Sequence, residues 1–305
     1  MNRTLARFVL IMVFIAVAST GCLHTDIPIT EQEPQTTPSP VPSPEQKPQS
    51  QNSPTPTPDR EPQSTPGPVP DIDQGQPEAS GDYITIRGVR YNTSLTVLHL
   101  VDMELTNEDI VPLQYMTNLK TLMLNNFSIN DVSPLYWLTD LEILILKGLP
   151  ISDISWLANF TKLSELYISE TQKIDDLTPL SNLTNLRKLC FDDNQISDIS
   201  PLSTLTNLYW LELMNNEVSD VSPLAGLNML SKLDLFSNRI VDVTPLSNLV
   251  SLTALGLSDN EISDISPLAN LTNLTSLGLA YNRITDWSPI EHLGNFSWQE
   301  QNLED

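Results

Sequence analysis

The stretch LYWLELMNNEVSDVSPLAGLNM, residues 208–229, decides the fold. Around Leu211 and Leu213 apolar and other residues alternate with period two, the pattern of a short strand that turns its leucines into a core. Asn216 follows at a turn. Ser222-Pro223 then offers a start for a helical turn, because Ser caps such turns and Pro suits their first position. Too few residues remain before Leu230 for more than one turn. The chain then repeats itself. The opening leucines of eight such units stand at 119, 141, 163, 186, 208, 230, 252 and 274, and an incomplete unit opens at Leu95. A fixed step near 22 residues marks a solenoid, in which each unit buries its apolar face only against its neighbours.

Stacked strands pair in parallel about 4.8 Å apart. The expected fold is therefore α/β: a right-handed solenoid with a parallel β-sheet on the concave face and short helical turns on the convex face. Asn216 recurs as Asn194, Asn238, Asn260 and Asn282. An amide buried at the same turn in every unit must be hydrogen-bonded, so these five residues are expected to form a ladder onto turn backbone. The column is broken at Met103, Phe127, Leu149 and Thr171, which predicts no ladder in the first four units. Trp156 replaces the proline of unit three, and unit four carries an extra residue near Gln172.

Strings such as LDLFSNRIVDVTPLSNL (233–249) and LGLSDNEISDISPLANL (255–271) resemble the leucine-rich repeats of the internalin type, and the resemblance covers residues 95–293. The opening YITIRGVRYNTSLTVLHL (83–100) looks like the strand segment that precedes such repeats in bacterial surface proteins. The resemblance implies extracellular protein recognition, often adhesion, and names no ligand.

The N-terminus reads MNRTLARFVLIMVFIAVASTGC. Arg3 and Arg7 precede an apolar run from Phe8 to Ala18, and small residues follow, as in a secretory signal. Thr20-Gly21-Cys22 resembles the lipobox of bacterial lipoproteins, with Ser19 where that family usually has Leu. The resemblance implies an acylated Cys22 that anchors the chain to the outer face of the cell membrane; the other reading is an ordinary secreted protein. Residues 23–80 hold 15 of the 24 prolines and almost no large apolar side chain, so they cannot offset the entropy of ordering. As an extended tether they reach at most roughly 180 Å. The expected division is a signal peptide (1–22), a Pro/Ser/Thr-rich linker (23–80), a capping strand segment (81–94), the repeats (95–293) and a tail (294–305), in which Phe296 and Trp298 lid the core.

Formal net charge is −23; residues 81–305 hold 29 Asp and Glu against 11 Lys and Arg, giving −18. Such a domain repels nucleic acid, whose phosphates need a basic patch. The three histidines, His24, His99 and His292, are too far apart in the repeat order for a Ser-His-Asp site. No phosphate-cradling Gly loop and no spaced Cys/His metal set occurs. Asp198, Asp220, Asp242 and Asp264 recur every 22 residues and read as turn residues. With Cys22 in the targeting segment, the domain is expected to carry a lone thiol at Cys190. No enzymatic activity, cofactor or metal is expected, and a monomer is.

Recognition then falls to the strand residues that point away from the core. Ile143, Ile145, Tyr167, Trp210, Met214 and Phe236 are expected to project from the concave face, with Glu212 and Asp234 among them. Aromatic residues beside charges are the composition of a protein-binding hot spot. Trp210 lies between Lys188 and Lys232 in its column, which predicts cation–π contact. Two other readings stand beside the binder: a rigid spacer of the cell envelope, and a recognition subunit of a larger surface complex.

Overall fold

The structure is a computed structural model that describes residues 82–293, apart from Asp102, Phe127 and Gln172. Nine strands form one parallel sheet in chain order: β3 (Val97–Leu100), β4 (Thr121–Asn125), β5 (Ile143–Lys147), β6 (Glu165–Ser169), β7 (Lys188–Cys190), β8 (Trp210–Glu212), β9 (Lys232–Asp234), β10 (Ala254–Gly256) and β11 (Ser276–Gly278). The register places equivalent residues side by side, as in Leu189–Leu211–Leu233–Leu255. Those leucines, the unit-opening leucines and the turn leucines form one continuous core along the stack. Phe160 and Phe191 fill it where aliphatic residues do not.

The N-terminal end of that core is closed by an antiparallel hairpin, β1 (Tyr83–Ile86) with β2 (Val89–Asn92). Arg87 and Gly88 turn it with φ of 51° and 80°, the left-handed pair that a two-residue hairpin requires. Ile84 and Ile86 are buried against the first coil. The segment expected as a single strand is thus a two-stranded cap.

Between strands, the chain makes a short 3-10 turn in every coil, for example Ser133–Trp137, Ser200–Thr204 and Ser222–Leu224. The first coil precedes its turn with one helical turn, α1 (Asn107–Ile110), held by a Thr106–Asp109 capping box. The cap is not the residue that the Ser-Pro pair suggests. Ser222 does not cap; Asp220 does, two residues upstream, its carboxylate accepting the Ser222 N–H at 2.8 Å. Asp131, Asp153, Asp176, Asp198, Asp242, Asp264 and Asp286 repeat this bond. Bonds from the backbone and side chain of Ser222 hold the Asp220 carboxyl below its ordinary pKa.

The turn asparagines link neighbouring coils. Asn216 Nδ2 donates to Phe191 O in the preceding coil (2.9 Å) and to Met214 O in its own (3.1 Å); its Oδ1 accepts Ile196 N–H (3.0 Å). Asn194, Asn238, Asn260 and Asn282 make equivalent bonds. The expectation of no ladder in the first four units needs amending. Asn126, one position early, donates to Met103 O and Leu105 O at 2.9 and 3.0 Å. Thr171 donates its hydroxyl to Asn194 Oδ1.

A concave face with an indole among carboxylates

Each strand presents its outward residues to the concave face, and curvature brings neighbouring columns together. Expected projection and observed exposure part at this point. Ile145 and Tyr167 are 3% and 2% exposed and, with Cys190, form a second apolar cluster on the sheet; Met123 and Ile143 pack against it. Tyr167 donates its hydroxyl to Glu165 Oε2 at 2.9 Å. Met214 and Glu212 are buried as well. Strands about 4.8 Å apart let bulky side chains shield one another, so an outward direction does not guarantee contact with solvent. Ile143, Trp210, Asp234 and Phe236 remain half-buried and face the groove.

Trp210 is held on both sides. Lys232 Nζ lies 4.2 Å from its ring centroid and Lys188 Nζ 5.3 Å. Its indole N–H donates to the Glu212 carboxylate. Lys188 also pairs with Glu165 at 3.3 Å, and Lys147 with Glu170 at 3.0 Å. A half-exposed indole whose ring position is fixed loses little freedom on binding, which favours it as an anchor.

Beside the indole, three acids occupy successive coils. Asp192 is 3% exposed and accepts Met214 N–H at 2.8 Å. Burial drives its carboxyl well above the ordinary range, and the neighbouring Glu212 adds repulsion. Burial pushes Glu212 up to about 7 against its Trp210 bond, with Asp234 adding repulsion. Asp234 is raised to about 6, again by burial, while the Phe236 N–H bond at 3.0 Å opposes the rise. The Asp234 carboxylate lies over Gly256: a Cβ there would stand 2.4 Å from Oδ1. The glycine is what lets that side chain fold down onto the sheet.

Ligand atoms of Cys190, Asp192 and Glu212 lie within 4.8 Å of one another. Cys190 Sγ lies 3.4 Å from Asp192 Oδ2. Three ligand atoms are fewer than the six to eight oxygens that calcium takes, so the cluster by itself assigns no cation. The Asn column lies at the edge of this face and is occupied with backbone bonds. Cys22, the linker, Gln172, Phe127, Phe296 and Trp298 lie outside the described residues.

The strand columns missed a second group. Tyr115, Tyr136 and Trp137 on the convex turns are the most exposed aromatic residues of the first coils. Their signal was departure from the repeat: in later coils these turn positions hold small or polar residues.

A family model described as "Leucine Rich repeats (2 copies)" matches residues 184–226, 228–270 and 250–292. No curated protein matches the chain by sequence. Among solved structures, the internalin InlF of Listeria monocytogenes is 35% identical, with TM-score 0.58 and 67% of each chain covered. A leucine-rich-repeat protein of Leptospira interrogans is 25% identical over 63% of this chain and 50% of its own, with TM-score 0.57. InlJ of Listeria monocytogenes, whose functional domain includes a cysteine ladder, is 26% identical over 67% of this chain and 44% of its own, with TM-score 0.55. The repeat period, the parallel sheet, the turn chemistry and these likenesses converge: the chain is a leucine-rich-repeat protein of the internalin family.

Proposed function

We propose that this protein recognises a protein ligand through its concave face and is held at the outer face of the cell membrane by an acyl chain on Cys22. Leucine-rich-repeat proteins of this kind serve protein–protein recognition in general. The observation that carries the reading is Trp210, fixed half-exposed between two lysines over carboxylates that the fold keeps from ordinary solvation. A rigid spacer has no use for such an arrangement. Glu212 and Asp234 suit a basic side chain of the ligand, which would supply the charge they lack.

The test is capture of surface-protein extract by the chain from residue 23 onward. Trp210→Ala is expected to weaken capture by about 2 kcal/mol or more in protein that a cooperative denaturant transition shows to be folded, although Glu212 loses its indole donor, and Ser276→Ala to be near neutral. Undiminished capture by Trp210→Ala and Phe236→Ala would move the interface off this face. The anchor is read separately by mass spectrometry of the N-terminal peptide. An acyl mass on Cys22 is expected; an unmodified Cys22, or one linked to Cys190, sinks the anchor. Among the described residues no helix is long and apolar enough to cross a membrane.

A further inference from the structure

The convex side of the first three coils breaks the repeat pattern. Tyr115 and Trp137 occupy equivalent places on adjacent turns and are 47% and 67% exposed. Later coils place Asn159, Asn182, Thr204 and Gly226 there. Tyr136, 45% exposed, stacks on Trp156 of the next coil at 5.6 Å between centroids and 18° between planes. Trp156 in turn meets Phe160 edge-on at 5.1 Å, so the platform is rooted in the core. Trp156 stands where other coils have proline, and its buried indole N–H has no acceptor among the described residues. Conserving the coil needs none of these side chains. The patch is an aromatic shelf with an unsatisfied donor beneath it.

We propose that this shelf is the docking site for the protein's own Pro-rich segment, residues 53–70, bound as a polyproline helix. Three observations favour this occupant. Aromatic shelves are the surfaces that polyproline segments recognise, because the helix is preformed and leaves its carbonyls free to accept hydrogen bonds. The segment SPTPTPDREPQSTPGPVP supplies prolines at alternate positions, 54, 56 and 58 and again 66, 68 and 70. Finally, the tether enters the fold at the right end: β1 begins at Tyr83 and its strand packs on the first 3-10 turn, Val111–Tyr115. Ten residues, 71–80, connect the two, with a coil reach of roughly 17 Å, while three coils span only about 10 Å. Such a short connection gives a high effective concentration. Docking would shorten the tether and set how far the concave face stands from its anchor.

The experiment compares the chain from residue 23 onward with a version carrying alanine at Pro54, Pro56, Pro58, Pro66, Pro68 and Pro70. The readouts are acrylamide quenching of tryptophan fluorescence and the radius of gyration in solution. With the native segment, Trp137 should be shielded; the alanine version should raise the quenching constant about twofold and enlarge the radius. Replacing Trp137 with Phe should abolish the difference in quenching. An equal denaturant midpoint shows that the fold is intact in each. Equal quenching and equal radius with either segment overturn the proposal. Shielding that appears only as protein concentration rises also overturns it, and assigns the shelf to a second copy of the chain.

Discussion

At the residue scale, the ladder and the carboxylates beside Trp210 answer to different physics. Asn216 satisfies two backbone carbonyls and one N–H in a place that water does not reach. Asn216→Ala is expected to cost about 1–3 kcal/mol, read as a fall in denaturant midpoint. Glu212 works in the other direction. Its folded pKa, about 7, lies above the ordinary 4.5, so the folded state resists ionisation. The fold is unburdened below about pH 4.5, loses stability as pH rises between there and about 7, and carries the full penalty above. Glu212→Gln should flatten this dependence and raise stability at pH 8 by about 1–3 kcal/mol, with little change at pH 4. A gain at pH 4 equal to that at pH 8 would refute the assignment. Tyr281 sits at φ 55°, in the turn position that Asn215 and Asp193 occupy elsewhere. Asparagine tolerates that left-handed backbone better than an aromatic residue, so Tyr281→Asn should raise stability by about 0.5–1 kcal/mol in thermal unfolding.

At the element scale, most of each coil was legible. The strand leucines, the single short turn and the five ladder asparagines follow from period and residue type alone, because each must satisfy the same local requirement in every copy. Three features did not follow. Alternation tells which side of a strand a residue faces, but not how its neighbours in adjacent coils cover it; Tyr167 and Ile145 are buried for that reason. The Asp cap lies upstream of the Ser-Pro pair, where a 3-10 turn differs from the α-helical start that the motif suggests. Asn126 takes the ladder bond from a position one residue out of column, which strict periodicity cannot show. The capping role is open to test. Asp220→Ala leaves the Ser222 N–H without its partner and is expected to cost about 0.5–2 kcal/mol, whereas Ser222→Ala should cost less. Equal losses would return the cap to the serine.

At the scale of the whole molecule, the fold is close to one-dimensional: each coil contacts its neighbours, and the core has two ends. The β1–β2 hairpin covers one of them with Ile84 and Ile86. A weakened cap should therefore act locally before it acts globally. Ile86 is 1% exposed, and Ile86→Ala is expected to remove about 2–5 kcal/mol from the stability of that end. Amide hydrogen exchange reads where the loss falls. Amides of β3 and β4 should lose protection first and most, those of β7 to β9 less, and those of β10 and β11 least. Because Trp210, Glu212 and Asp234 lie on β8 and β9, ligand capture should survive this substitution far better than it survives Trp210→Ala. A uniform loss of protection along the stack would mean that the coils unfold as one cooperative unit, and the separation between a capping end and a binding centre would not hold.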